Sequence, residues 1–390
     1  MSDRKVKVGV VGLGNMGSQH LVFVSNIPTM ELAACCDIVP EKAQKAGEKY
    51  NIPYFTNAED MMKSGLIEAI IIAVPHYDHT TIAIAAFEHD LHVLTEKPVG
   101  VHKNDILKMI AAHKAHPEKR FAAMFQQRML PIYQKIRQLV QRGELGAIQR
   151  INWIITDWFR SQAYYDSGSW RATWKGEGGG VLLNQCPHHI DLYQWMFGMP
   201  SKVRGFCGIG KYHKIEVEDE VTAFFEYEDG RTAVFITSTG EAPGTNRLEV
   251  TCDRGKLIVE NGSIKFIRNE IPTAEFRSTT KQLFGTGPVW TIDVPFGAAP
   301  STPLHQLVLE NFADSILNGT NLVAPAEEGL NSVELANSML FSSMQGETVN
   351  LPLDGDAYET MLKGLIANSD FKKETASGAV AADMSASFGK

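Results

Sequence analysis

The chain of 390 residues is poor in cysteine, carries no excess of positive charge and has no long apolar run. Its five cysteines form no CxxC pair: Cys35 and Cys36 adjoin, and Cys186, Cys207 and Cys252 stand apart. That excludes a disulfide framework and a cysteine-held structural zinc, and the odd count suits a reducing compartment. No stretch approaches the roughly 18 apolar residues that a spanning helix needs. With 37 Lys and Arg against 45 Asp and Glu, the formal charge is −8. A nucleic-acid partner draws on a basic patch and is therefore not expected. The first apolar run, Val8–Val11, is too short for the core of a signal peptide. The expectation is a cytoplasmic protein with no membrane partner.

What is present suits an enzyme. Hydrophobic residues make up 44% of the chain and charged ones 21%, enough for a sizeable core and for two or three domains. Residues 1–125 alternate apolar runs with helical patterns. Strands are expected at 5–11, 31–37, 69–74, 92–95 and 121–125, and helices at 15–26, 40–50, 78–89 and 103–116. This alternation predicts an α/β unit, a doubly wound parallel sheet. Residues 126–365 read differently. Helices are expected at 131–142, 182–197, 304–317 and 326–344, with a strand at 147–159 and several more between 202 and 268. Turns such as Asp229-Gly230 and Asn261-Gly262 suit hairpins. The second unit is therefore an α+β domain with a large, mostly antiparallel open sheet. Residues 366–390, rich in Ala, Ser and Gly, read as a mobile tail.

Gly12-Leu13-Gly14-Asn15-Met16-Gly17 is a GxGxxG that follows a predicted strand and opens a predicted helix. Gly12 permits the tight turn, Gly14 lets a pyrophosphate approach the backbone, and Gly17 lets helix and strand pack closely. The N–H groups of Asn15 and Met16 then face the phosphates at the helix N-terminus. Asp37 lies 20 residues beyond Gly17, where a carboxylate meets the adenosine ribose. The same carboxylate repels the extra phosphate of NADP, and Ile38 offers no compensating cation, so NAD is the predicted cofactor. FAD, which uses the same fingerprint, is the rarer alternative.

Glu96-Lys97-Pro98 follows the strand at 92–95. With the N-terminal fingerprint, it resembles the E-K-P motif of the glucose–fructose oxidoreductase and inositol dehydrogenase (Gfo/Idh/MocA) family. Val74-Pro75 and His79 match a second segment of that family. The run Gly178-Gly-Gly-Val-Leu-Leu-Asn184-Gln-Cys-Pro-His188-His-Ile-Asp191 is similar to its glycine-rich G-G-G…D-x-G-x-H-x-x-D segment. The resemblance covers roughly residues 4–345. It implies hydride transfer between a sugar-like or polyol carbinol and nicotinamide, with Lys97 as polar anchor and proton relay and His188 as general acid/base. It also implies a cofactor-facing place for Val74, Pro75, His79, Glu96 and Pro98, and a cis bond before Pro98. The chemistry of the residues agrees. Oxidation of an alcohol needs a base poised near neutrality, and a lysine beside the cofactor or a histidine meets that need.

One position departs from the family. Where its aspartate stands four residues before the histidine, this chain has Asn184, which only donates and accepts hydrogen bonds. Asn184 is expected to orient substrate or a ring nitrogen, and Cys186 to pack. On a helix Asn184, His188 and Asp191 share one face, which places Asp191 against a substrate hydroxyl; a helix cap or pair is the other reading of Asp191. His188, His189 and Asp191 do not make a metal set. Arg128 resembles a family position near substrate. Trp170 and Arg171, with Tyr165 and Tyr164, form an aromatic loop suited to a carbohydrate ring.

The expected function is NAD-dependent oxidation of a secondary hydroxyl of a sugar, glycoside or cyclic polyol. Inositol dehydrogenase specifically is one alternative. A second is a redox-neutral enzyme that retains NAD and cleaves glycosides through a transient keto-sugar. A non-catalytic NAD-binding sensor is the third. The family resemblance implies a homodimer or homotetramer formed through the open sheet.

Overall fold

The computed structural model describes residues 4–373. The expected tail at 374–390 lies outside the described residues. At 366 there is no break: the last helix runs on to Ala367, Ser369 bonds to Glu216, and Lys373 reaches the carbonyl of Arg171.

Six strands form the first sheet: β1 (Val6–Val11), β2 (Met30–Cys36), β3 (Tyr54–Phe55), β4 (Ala69–Ile72), β5 (His92–Thr95) and β6 (Phe121–Ala123). All pair in parallel, in the order β3-β2-β1-β4-β5-β6. The order reverses between β1 and β4, the switch point at which doubly wound sheets bind ligands. β4 is fully buried Ala-Ile-Ile-Ile, as a strand covered on both faces must be. The helices are α1 (Asn15–Asn26), α2 (Pro40–Tyr50), α3 (Ala58–Lys63), α4 (His76–Glu88) and α5 (Lys103–Ala115). Pro40 starts α2 at its first turn, and Asn51, left-handed at φ 52°, ends it. The short α3 follows β3 directly. Asn57 caps it, its side chain accepting from the N–H groups of Glu59 at 2.8 Å and Asp60 at 3.3 Å.

After β6 come α6 (Pro131–Gln141), β7 (Ile148–Ile155), α7 (Gln162–Asp166) and α8 (Pro187–Phe197). The strands β8 (Lys202–Ile209), β9 (Glu218–Glu226), β10 (Thr232–Ser238), β11 (Asn246–Cys252), β12 (Gly255–Glu260) and β13 (Ser263–Asn269) follow. Then come α9 (Thr273–Thr279), β14 (Val289–Asp293), α10 (Leu304–Asn318), α11 (Gly329–Gln345), β15 (Val349–Asn350) and α12 (Gly355–Ala367). The second sheet has nine strands in the order β14-β13-β12-β11-β7-β10-β9-β8-β15, antiparallel except where β7 meets β10. Trp153, Phe225, Phe235 and Tyr193 of α8 fill the core on its inner face.

The two halves are not separated cleanly at residue 125. Val308, Leu309 and Phe312 of α10 join Val6, Val8 and Leu94 on one face of the first sheet. Ala324, Ala326 and Val333 join Ile70, Ile72 and Phe125 on the other. The chain thus returns to clamp the first sheet before α11 crosses to β8. All five cysteines are unpaired. Among the described residues no helix is long and apolar enough to cross a membrane.

Candidate active site

The glycine turn between β1 and α1 is built as a cradle. Gly12 has φ +85°, and a Cβ there would collide with the carbonyl of Ala73. A Cβ at Gly17 would strike the carbonyl of Gly12. At Gly14 a Cβ would meet nothing within 4 Å. The first two glycines are thus needed by the fold, whereas Gly14 faces open space. Among the described residues no side chain caps α1, which leaves the N–H groups of its first turn, at Asn15 and Met16, without a side-chain cap. Asp37, at the end of β2, accepts from Leu13 N at 2.7 Å and Val39 N at 2.9 Å, locking the turn. Ile38, beside it, is 88% exposed. These residues fit a dinucleotide: open space over bare N–H groups, with a carboxylate at its far edge.

The second wall starts at β5. Glu96 is buried against His20 of α1, with Oε1 2.7 Å from Nε2. Burial alone would raise the Glu96 carboxyl, but the His20 hydrogen bond and nearby His305 and Lys97 hold it down at about 2. Lys97 follows, and its bond to Pro98 is cis. Its Nζ donates to the main-chain oxygen of Asn184 at 2.7 Å. Burial lowers the Lys97 pKa against the pull of Glu96 and Glu177.

His188 lies in the first turn of α8, which opens with Pro187. Its Nε2 faces the side-chain nitrogen of Gln126 at 3.1 Å, and its Nδ1 is buried with no hydrogen-bond partner among the described residues. With the amide nitrogen on this side, Nε2 is the acceptor and the ring hydrogen is assigned to Nδ1. Burial, then the Lys97 charge, pushes the His188 pKa well below its ordinary value. The ring is therefore neutral at neutral pH, with one unsatisfied N–H. A buried unsatisfied donor is costly unless a ligand completes it.

Several expected placements need correction. Asn184 is not on a helix with His188, because α8 begins only at Pro187. Glu218 of β9 accepts from Gly180 N at 2.7 Å and Leu182 N at 3.1 Å, holding the segment as a turn. Arg128 and Asp191 are buried, and Asp191 takes the paired arrangement that is its other reading. They form a bidentate pair, Nε–Oδ2 at 2.7 Å and Nη2–Oδ1 at 2.6 Å, with both side chains 1% exposed. Glu328 also meets Arg128. Tyr165 is a core residue whose hydroxyl bonds to Thr239 at 2.8 Å. His79 lies behind the cleft wall, its ring nitrogens 2.8 Å from the Pro98 carbonyl and 2.9 Å from the Val74 carbonyl. It braces these two loops, with Val74 half-buried and Pro75 exposed in front.

The aromatic loop does converge on the site, through Tyr164 rather than Tyr165. The Tyr164 hydroxyl accepts from Arg171 Nη1 at 2.9 Å and lies 3.5 Å from Asn184 Oδ1. Arg171 stacks over both Tyr164 and Trp170. Cys186 is buried and pushed up to about 12, so it packs and does not react. His189 accepts from the Trp158 indole at 3.3 Å and lies edge-on to Trp153, turned away from His188's partners. Two residues around these groups lacked a sequence signal: Gln126, against His188, and Glu177, against Asn184. Neither stands at a motif position, and only tertiary contact reveals them.

A parallel doubly wound sheet with a glycine-rich dinucleotide cradle at the turn from β1 into α1 is the architecture of an NAD-binding oxidoreductase. The comparisons agree. The model "Oxidoreductase family, NAD-binding Rossmann fold" matches residues 6–123, and "GFO/IDH/MocA C-terminal domain" matches 133–258, together more than half of the chain. The chain belongs to the GFO/IDH/MocA family. It is 24% identical over 289 residues to the uncharacterized oxidoreductase YrbE of Bacillus subtilis, spanning 72% of this chain and 81% of that protein. It is 31% identical over 144 residues to an inositol 2-dehydrogenase of Salmonella typhimurium, but that alignment spans only 36% of this chain and 43% of the relative. Among solved structures, the WlbA dehydrogenase of Chromobacterium violaceum, in complex with NADH and UDP-GlcNAcA, aligns with TM-score 0.77 and 26% identity. The alignment covers 91% of this chain and 98% of that one.

Proposed function

We propose that this protein oxidises a secondary hydroxyl of a sugar, glycoside or cyclic polyol to a ketone, using NAD. The observation that carries the reading is the neutral, buried His188, whose Nδ1 has no hydrogen-bond partner among the described residues and whose ring feels the Lys97 charge. Gly12, Gly14, Gly17, the first turn of α1 and Asp37 would hold the dinucleotide, with Val74 and Pro75 along its path. NAD, when bound, supplies the hydride acceptor. The remaining work falls to this chain. Lys97, its pKa lowered by burial, takes up the hydroxyl proton at Nζ and is held on target by the Asn184 carbonyl. His188 donates from Nδ1 to the reacting oxygen, and Gln126 keeps the ring in that tautomer. Asn184 Oδ1, Tyr164 and Arg171 face the remaining hydroxyls, and Trp170 offers a ring face. The Arg128–Asp191 pair positions α8 and so His188, without touching substrate.

Relatives carrying the names inositol 2-dehydrogenase and dehydrogenase with UDP-GlcNAcA support the cyclic, hydroxyl-rich class. Exposed Phe206 and Phe224 on the outer face of the second sheet favour a homodimer or homotetramer, which light scattering after gel filtration would test. The test of function is reduced-nicotinamide absorbance with NAD and a panel of inositols, hexoses and glucosides. A signal with one class supports the reading. Silence across the panel with NAD bound overturns it, and sugar release without net NADH points to the retained-cofactor alternative.

A further inference from the structure

Glu177 ends the aromatic loop immediately before the glycine run, and it is 1% exposed. Its Oε2 accepts from Ala172 N at 2.6 Å. Its Oε1 accepts from the side-chain amide of Asn184, and Arg171 Nη1 lies 3.9 Å away. A carboxylate can only accept, so Asn184 must turn its NH2 toward Glu177 and its Oδ1 away. That oxygen then points to the Tyr164 hydroxyl, which in turn accepts from Arg171. Glu177, Asn184, Tyr164 and Arg171 thus close a ring. Lys97 hangs from the main chain of one member of that ring.

We propose that Glu177 is a positioning residue of the active site, fixing the Asn184 amide in one orientation and giving Lys97 a second carboxylate besides Glu96. The proposal rests on the dehydrogenase reading above for its role in turnover. An amide at 184 would otherwise present either atom to a substrate hydroxyl. With its nitrogen held by Glu177, it presents an acceptor only. The charges around Lys97 are Glu96 and Glu177, which hold its proton on, and Arg171 and Arg160, which oppose them. His188, His76 and His305 feel the Lys97 charge in return. Burial raises the Glu177 carboxyl against the pull of Arg171, its hydrogen bonds from Ala172 and Asn184, and Lys373, and Glu177 in turn raises the buried Glu218 of β9. Removing the Glu177 charge therefore lowers the pH at which Lys97 loses its proton.

The test is an exchange of amide and carboxylate in the full-length protein. Glu177→Gln, Asn184→Asp and the double variant are each labelled with acetic anhydride across pH, and Lys97 acetylation is read by mass spectrometry. NAD binding by fluorescence confirms that each is folded. Glu177→Gln should shift the Lys97 labelling midpoint to lower pH and reduce kcat about 10-fold to 10²-fold, with NAD affinity unchanged. Asn184→Asp alone sets two carboxylates in contact, so one must take up a proton, and kcat should fall as well. The double variant restores one carboxylate and one amide. It should recover most of kcat and return the midpoint to wild type or above. If Glu177→Gln does not fold, the comparison of Asn184→Asp with the double variant decides. A Glu177→Gln protein with the wild-type midpoint and kcat, or a double variant no better than Asn184→Asp, overturns the proposal. Labelling needs no sugar. A wild type that labels as expected but makes no NADH counts against the dehydrogenase reading alone, and an unshifted midpoint counts against Glu177 whatever the substrate.

Discussion

Arg128→Met tests whether the buried pair beneath α8 positions the site. In the native protein Asp191 is bound by the Arg128 fork at 2.6 and 2.7 Å and by Gln194 Nε2 at 3.1 Å. Methionine keeps the packing against Phe125 and Trp195 but leaves the carboxylate with Gln194 alone. Breaking a buried pair by removing one partner costs about 3–5 kcal/mol. At roughly 2–4 °C per kcal/mol, Tm should fall by about 6–20 °C. The loss has a sign in pH. Burial already raises the Asp191 pKa against the pull of Arg128, and removing Arg128 raises it further. A carboxyl whose folded pKa lies above its unfolded value stabilises the fold when protonated and loses that contribution as pH rises. The unfolded state is common to both proteins, so the deficit of the variant should grow as pH rises from the already raised folded pKa of the native Asp191 toward the still higher one of the variant. Melting by circular dichroism from acid to neutral pH measures this. A loss below about 1 kcal/mol, or one independent of pH, would refute the claim that the pair is buried and mutually dependent.

Lys97→Met should leave NAD affinity unchanged and lower turnover about 10²-fold to 10⁴-fold, read by fluorescence titration and by NADH formation. Gly14→Val should abolish NAD binding while shifting stability by no more than about 0.5 kcal/mol, because a side chain there fills open space and no protein atom. Asp37→Ala removes charge-assisted bonds from the turn and should weaken NAD binding about 10-fold to 10²-fold by titration. The neutral His188 ring is required, and its pKa is pushed well down. The acid limb of kcat/KM that His188 governs should accordingly lie below its ordinary pH of about 6.5.

The elements that sequence reveals best are those with strong local signals. The all-buried Ala-Ile-Ile-Ile of β4 and the glycine turn into α1 are of that kind, because periodicity and backbone freedom are local properties. The start of α8, at Pro187, is set by tertiary contact. Leu182 and Leu183 continue its apolar pattern, but Glu218, from a distant strand, takes the N–H groups of Gly180 and Leu182. Tyr165, Arg128 and Asp191 have the residue types of a binding site, and pattern alone does not tell a buried pair from an open one. Glu177 is the converse case, a site residue in a position no motif marks. Its importance comes from the closing of a loop over Asn184, which only the folded chain brings about.

The central claim is that a carbinol hydrogen passes from substrate to nicotinamide in a site served by Lys97 and His188. Its most direct measurement is the fate of that hydrogen, using the sugar or polyol that gives a signal, deuterated at the reacting carbon. The account predicts deuterium on the nicotinamide, a slowed wild-type rate, and loss of transfer in Lys97→Met with NAD still bound. Product formed with the deuterium in water and none on the cofactor would contradict it.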